Sequence, residues 1–214
     1  MIMDTLEIFP ILITKQENFL SEKNCVKLRE MSEKLEYYKK TTEVKSYRSN
    51  ERNVLGKYFP ELKKSIESAF TEFAYNTLTV QKTCDFKIMG SWSTMTPPGG
   101  MSNKHSHCNS FWSGCLYFDN YTNPIIFYKP VLSQIVLNQR EDEVQPNNSN
   151  QIIFTPEKGS LLLFPSHLIH QVSLNKTNKT RHSIAFNILP NGIFGMHDSI
   201  SNISVLEYDY LKEE

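Results

Sequence analysis

Three histidines and one arginine define the chemistry open to this chain. His105 and His107 are separated by one residue, His170 follows His107 by 63, and Arg181 and Ser183 follow His170 by 11 and 13. Side chains alternate along an extended strand, so His105 and His107 project to one side of their backbone. A third imidazole from a distant strand closes a facial site on one side of a metal and leaves positions open on the other. Open positions are what an oxygen-activating iron needs. Imidazole suits iron, copper, zinc and nickel alike, so these ligands do not name the metal. A lone strand histidine is more often a hydrogen-bonded structural residue; the i, i+2 pair plus a third in an apolar strand brings a metal site level with that reading.

His167 competes with His170 for the third place. Leu168, His170 and Val172 form one alternating strand face, whereas His167 lies at the Pro165 turn, so His170 is the expected ligand. His182 alternates away from the Arg181 face and His197 sits in the tail, and both read as structural. Cys108 adjoins His107 and so points the opposite way.

In RHSIAFNI, alternation puts Arg181, Ser183, Ala185 and Asn187 on one face and His182, Ile184, Phe186 and Ile188 on the other. The second face is mostly apolar and suits sheet packing. The first sets a guanidinium beside a hydroxyl among small residues. An arginine fork binds a carboxylate bidentately, and a neighbouring hydroxyl can donate to the same oxygen. A buried arginine without a partner is costly, so an internal carboxylate or a ligand should meet Arg181, and the chemistry favours a ligand. In the strand Phe111–Phe118, Trp112, Gly114, Leu116 and Phe118 face one way and Ser113, Cys115 and Tyr117 the other. Tyr117 has two readings: a phenol donated to that ligand, or a buried tyrosine bonded to backbone. Asn109 and Ser110 contact substrate or cap a turn.

The elements that must position these residues are legible in outline. At 214 residues the chain fits one domain. Its 23 basic and 23 acidic residues balance without a basic block, which indicates neither nucleic acid nor an anionic membrane as partner. The opening residues lack the basic start, apolar stretch and cleavage site of a signal peptide. No window approaches the roughly 18 apolar residues of a membrane span. Cys25, Cys84, Cys108 and Cys115 are spaced too irregularly for a zinc site or disulfide framework, so reduced thiols in a cytoplasmic protein are expected.

Leu6–Ile13 reads as a first strand, at an edge because of Pro10. Glu17 to about Tyr38 predicts a helix with Ser21 as N-cap, and Lys39–Asn53 a polar loop. Phe59-Pro60-Glu61 opens a second helix whose stripe of Leu62, Ile66, Phe70 and Phe73 reads as core packing. After Val80 short β-type runs take over: Phe86–Trp92, the histidine segment, Phe111–Phe118, Ile125–Tyr128, Gln151–Phe154, Ser160–Phe164, Leu168–Val172 and Arg181–Leu189. The fold class is mainly β (α+β), a cupin-like jelly roll with two N-terminal helices packed outside. A single domain over 1–214 divides into an N-terminal strand and helices (1–82), a β core (83–190) and a tail (191–214). Ser133–Asn150 predicts a long polar loop of the kind used as a lid.

The runs SWSTMTPPGGMSNKHSHCNSFWSGCLYFDN, GSLLLFPSHLIHQV and RHSIAFNI, with EIFPILI near the start, carry a resemblance. Together they resemble the 2-oxoglutarate/Fe(II)-dependent oxygenases of bacteria and their viruses. Those proteins carry His-x-His-Pro-Asn-Ser before Ser-Gly-x-x-Tyr, a later Phe-Pro-Ser segment ending in His, and an Arg-x-Ser-x-x-Phe-Asn strand. The likeness covers most of Phe86 to Leu189. It implies a double-stranded β-helix with Fe(II) on His105, His107 and His170, and 2-oxoglutarate bound by Arg181, Ser183, Tyr117 and Asn187. The implied activity is hydroxylation, coupling oxidative decarboxylation of 2-oxoglutarate to oxidation of a small-molecule or side-chain substrate by molecular oxygen. Two positions depart from the pattern. His107 stands where the wider superfamily has Asp or Glu, which leaves the metal site one unit more positive, and Cys108 stands where proline is expected. Two rival classes are a three-histidine cupin-type dioxygenase without 2-oxoglutarate and a metal-free jelly-roll binding protein. Arg181 with Ser183 argues against the first, and metal content separates the second.

Overall fold

In the computed structural model, residues 9–39, 43–120, 123–130, 149–195 and 201–206 are described. In chain order the elements are β1 (Thr14–Gln16), α1 (Glu22–Lys34), β2 (Tyr37–Lys39), β3 (Tyr47–Ser49), α2 (Val54–Tyr58), α3 (Pro60–Asn76), β4 (Cys84–Thr96) and β5 (Trp112–Tyr117). They continue with β6 (Ile125–Tyr128), β7 (Gln151–Phe154), β8 (Leu161–Pro165), β9 (His170–Val172), β10 (Arg181–Phe194) and β11 (Ser201–Ile203). The larger antiparallel sheet runs β1-β8-β5-β10-β4-β3-β2, with β11 also on β10, and the smaller runs β7-β6-β9. This is the antiparallel two-sheet arrangement of a double-stranded β-helix, with helices against one face.

Both faces of the larger sheet are dressed. Ile184, Phe186 and Ile188 of β10 point outward and join Trp112, Leu116, Leu161 and Leu163 with Leu28 of α1 and Ile66 and Phe70 of α3. Each such side chain, fully buried, stabilises the fold by about 1.5–3 kcal/mol. Gly114 permits the closest layer of this packing: a Cβ there would lie 2.3 Å from the Phe186 ring. On the inner face Cys115, Tyr117, Leu162 and Phe164 meet Ile125 and Phe127 of the smaller sheet.

Helix α1 begins as expected, Ser21 accepting a hydrogen bond from the Asn24 N–H. It stops at Lys34, and Tyr37–Lys39 turns into β2 instead. The expected polar loop Lys39–Asn53 contains β3, which pairs with β4, and leads into the short α2 capped by Asn53, so three helices replace two. The periodicity is faint there because a three-residue strand leaves too few alternations to read. Of the expected first strand Leu6–Ile13, residues 6–8 lie outside the described ones and 9–13 are not strand; β1 begins at Thr14. Pro10 lacks the N–H a ladder needs, and Ile11, Leu12 and Ile13 are exposed. Residues 133–148 of the expected lid loop, and His197, also fall outside. The tail is more regular than its sequence suggested, since β10 continues to Phe194 and pairs with β11. Among the described residues no helix is long and apolar enough to cross a membrane.

One buried polar cluster ties α1 to the sheet. Asp119 accepts from the Arg29 guanidinium at 2.6 Å and from the His182 backbone N–H at 2.6 Å. The His182 ring is buried behind it, 5.9 Å from Tyr37, and its Nδ1 has no hydrogen-bond partner. Burial, aided by the Arg29 charge, lowers its pKa from 6.5 to about 4. The folded chain therefore holds His182 neutral while the unfolded chain protonates it. The stability this contributes is complete above pH ~6.5 and is lost as pH falls through ~4, on the order of 3 kcal/mol. Urea midpoints measured from pH 7 to pH 4 should drop in the wild type, and His182→Leu should flatten that decline.

Candidate metal centre

His105 and His107 do not lie in a regular strand; they ride an extended segment laced onto the far side of the barrel. The His105 N–H donates to the His170 carbonyl (3.0 Å) and the His170 N–H donates back (2.9 Å). This antiparallel bridge sets the two residues directly opposite each other. The His107 N–H donates to the Ser166 carbonyl at 2.8 Å, which keeps the segment extended for one more alternation. The i, i+2 logic thus holds, enforced by pairing with the 166–172 stretch.

The outcome is a tight triad. Ring centroids are 4.4 Å apart for His105–His170, 5.2 Å for His107–His170 and 5.4 Å for His105–His107. One nitrogen from each lies within 4.8 Å of the others, and no Asp, Glu or Cys joins this group among the described residues. His167 and Cys108 are exposed and outside it. His170 is 4% exposed and edged by the Phe164 ring at 4.7 Å.

Hydrogen bonds fix which nitrogen points inward. The His105 Nδ1 is 2.8 Å from the Asn103 carbonyl, and the His170 Nδ1 is 2.9 Å from the Leu168 carbonyl. A carbonyl only accepts, so both rings carry Nδ1–H and leave Nε2 as the unprotonated nitrogen. The His107 Nδ1 lies 2.6 Å from the Asn187 Oδ1. The Ser113 hydroxyl is 2.9 Å from that oxygen, 3.0 Å from the His107 Nδ1 and 2.8 Å from the Ser166 hydroxyl, which donates to Ser110 at 2.8 Å. Three lone pairs backed by neutral acceptors are a donor set that fits a divalent transition metal. Asn187, expected at the cosubstrate, sits behind His107 instead, because Ser113 and His107 occupy its amide oxygen.

Arg181 lies on the same inner face, 2% exposed. Its Nε has no hydrogen-bond partner, and no salt bridge among the described residues includes it. The guanidinium carbon lies 5.3 Å from the Tyr117 ring. Ser183 stands one strand position along, its hydroxyl 3.4 Å from Thr94. Asp119, the buried acid near the head of this strand, is taken up by Arg29 and His182. Burial pushes the Tyr117 phenol well above its ordinary pKa and the Cys115 thiol up, so both stay neutral. A buried guanidinium among neutral groups costs several kcal/mol unless an anion joins it.

Comparison with known proteins places this arrangement. Residues 90–187 match the model of a family described as "Putative 2OG-Fe(II) oxygenase". That family is one of 2-oxoglutarate-dependent oxidoreductases with Fe(II) as the metal. No curated protein matches the chain. Solved structures share its fold at low identity. The α-ketoglutarate-dependent epimerase SnoN from nogalamycin biosynthesis is 7% identical, with TM-score 0.63 over 92% of this chain and 89% of that one. HygX from Streptomyces hygroscopicus, crystallised with nickel, 2-oxoglutarate and hygromycin B, is 10% identical, with TM-score 0.54 over 83% and 82%. A Pseudomonas putida prolyl-4-hydroxylase is 14% identical, with TM-score 0.52 over 82% and 91%.

Sequence reading missed several residues around the oxygenase site. Ser113 and Ser166 behind His107 carry no motif signal beyond alternation. Trp92, 5.9 Å from the His107 ring, was hidden by a bulge in β4: Asn187 pairs with Gly90 but Ile188 pairs with Ile88, leaving Met89 unopposed. Simple alternation would put Trp92 with Phe86 and Ile88 in the helix-side core; the extra residue turns it to the inner face, toward His107. Asn187→Leu, which removes the acceptor holding His107, should weaken Mn(II) binding about 10–100-fold by calorimetry, while circular dichroism stays unchanged. Wild-type affinity in that variant would deny Asn187 this role.

Proposed function

We propose that His105, His107 and His170 hold Fe(II) through Nε2, and that Arg181, with Ser183 and Tyr117, receives the distal carboxylate of 2-oxoglutarate. The observation that carries this reading is a buried guanidinium, with no acid beside it among the described residues, on the same inner sheet face whose Asn187 and Ser113 hold one of three converging imidazoles. Bound Fe(II) supplies the redox chemistry that couples decarboxylation of 2-oxoglutarate to substrate oxidation. The chain supplies placement. Arg181 sets how deep the cosubstrate sits, since its fork fixes both carboxylate oxygens. Ser183 donates to the same group, and the Tyr117 phenol, held protonated by burial, adds a second neutral donor. Phe127, Phe164 and Leu168 exclude water from the imidazole side.

We read the reaction as hydroxylation of a small molecule or side chain, with oxygen as co-substrate. Four free cysteines suit a reducing compartment such as the cytoplasm. A three-histidine dioxygenase that dispenses with 2-oxoglutarate has no use for an unneutralised Arg181.

Two variants test the assignment. His170→Ala should abolish Mn(II) binding in calorimetry, and retained binding would reassign the third ligand. Arg181→Ala should keep the metal but weaken 2-oxoglutarate binding to the Mn(II)-loaded protein by about 1.5–3 kcal/mol, the usual worth of a hydrogen bond to a charged group. Equal affinity for 2-oxoglutarate in that variant would remove Arg181 from the pocket.

A further inference from the structure

The inner face of the larger sheet extends well beyond the half occupied by the proposed cosubstrate pocket. Directly paired residues on antiparallel strands share a face. The register Tyr38↔Arg48↔Thr94↔Ser183↔Tyr117 therefore makes one inward-facing row across five strands. At the Tyr117 end the smaller sheet covers the row and buries it. At the other end Tyr38, Arg48, Thr94 and the adjacent Trp92 are only half-buried, on a wing of β2, β3 and β4 whose side chains do not join that cluster.

This open wing borders the metal triad. The Trp92 ring centroid is 5.9 Å from that of His107, and the Arg48 guanidinium carbon lies 3.9 Å over the Trp92 ring. A guanidinium over an indole face is held by cation–π attraction through its π-system, which leaves the N–H donors of its fork for other partners. It can keep a partner within the protein and still present a two-pronged edge. Neither metal binding nor the Arg181 pocket uses Arg48 or Trp92.

We propose that Arg48, braced on Trp92, is the anchor for the prime substrate, and that this substrate carries an anionic oxygen group, a carboxylate or a phosphate. The proposal rests on the metal and cosubstrate reading above and deepens it. Binding the anion at Arg48 fixes the distance from that group to the carbon offered beside His107, so Arg48 decides which position is oxidised. Trp92 acts as a positioning residue, holding the fork at a set height above the sheet.

Trp92 also supplies the probe, because the other tryptophan, Trp112, is buried on the helix side. Benzoate, phenyl phosphate and the neutral isostere benzamide are titrated against tryptophan fluorescence. Each titration uses both Mn(II)-loaded protein saturated with 2-oxoglutarate and metal-free protein. At least one acid should saturate the signal at a concentration about tenfold below that of benzamide, and the tighter acid distinguishes carboxylate from phosphate. Arg48→Ala should erase this advantage while 2-oxoglutarate affinity stays within about twofold. Arg48→Gln, which keeps most of the stem, should erase it too and serves if the alanine variant loses its β3 edge. Benzamide binding as tightly as both acids, or an advantage that survives both variants, overturns the proposal. If 2-oxoglutarate fails to bind the Mn(II)-loaded wild type while the acids still show Arg48-dependent binding, the cosubstrate reading falls and the anion subsite stands.

Discussion

One strand carries both the stability of this protein and its chemistry, and the strict alternation of its side chains links the two. The outward face of β10 puts Ile184, Phe186 and Ile188 into the helix-covered core. The inward face carries Arg181 and Ser183, and Asn187 behind His107. A slip of one residue would bury the guanidinium among phenylalanines and expel three core side chains, so the hydrophobic pattern pins the functional register. The pairing of β10 with both β4 and β5 extends that register sideways, which places Thr94 and Tyr117 level with Ser183.

The second constraint is electrostatic. The three imidazoles are uncharged donors, and carbonyls, an amide and serine hydroxyls stand behind them. No Asp or Glu joins the triad among the described residues, and none forms a salt bridge with Arg181 there. On the proposed reading the dianion of 2-oxoglutarate would bring negative charge to both the metal and Arg181. Metal and cosubstrate would then favour each other's binding, and by linkage that coupling would be reciprocal.

The backbone supplies the precision. His105 and His170 exchange two backbone hydrogen bonds, so the distance between their rings is set by a ladder rather than by loop chance. Placing His170 on the smaller sheet and Arg181 on the larger makes the cavity a property of how the sheets face each other. The aromatic rings of Phe127 and Phe164 pack edge to face between the two sheets, 5.1 Å apart and buried.

Much of this was written in the sequence. Periodicity and turn chemistry located most strands after Val80, the stripe of α3 and the Ser21 cap, because these depend on neighbours a few residues away. The triad and Arg181 were legible for the same reason: each lies in a short run whose alternation assigns its face. Other features depend on partners far along the chain, and only the tertiary structure decided them. The Met89 bulge, which aims Trp92 toward His107, is visible only against the register of β10. Arg48 looked like part of a polar loop until β3 found the edge of β4. Asn187 shared a face with Arg181 in any reading, but its amide oxygen could be assigned to His107 only once a separate segment, 80 residues away in sequence, was folded over it. Alternation fixes a side chain's direction; what it meets there depends on contacts that no local pattern encodes.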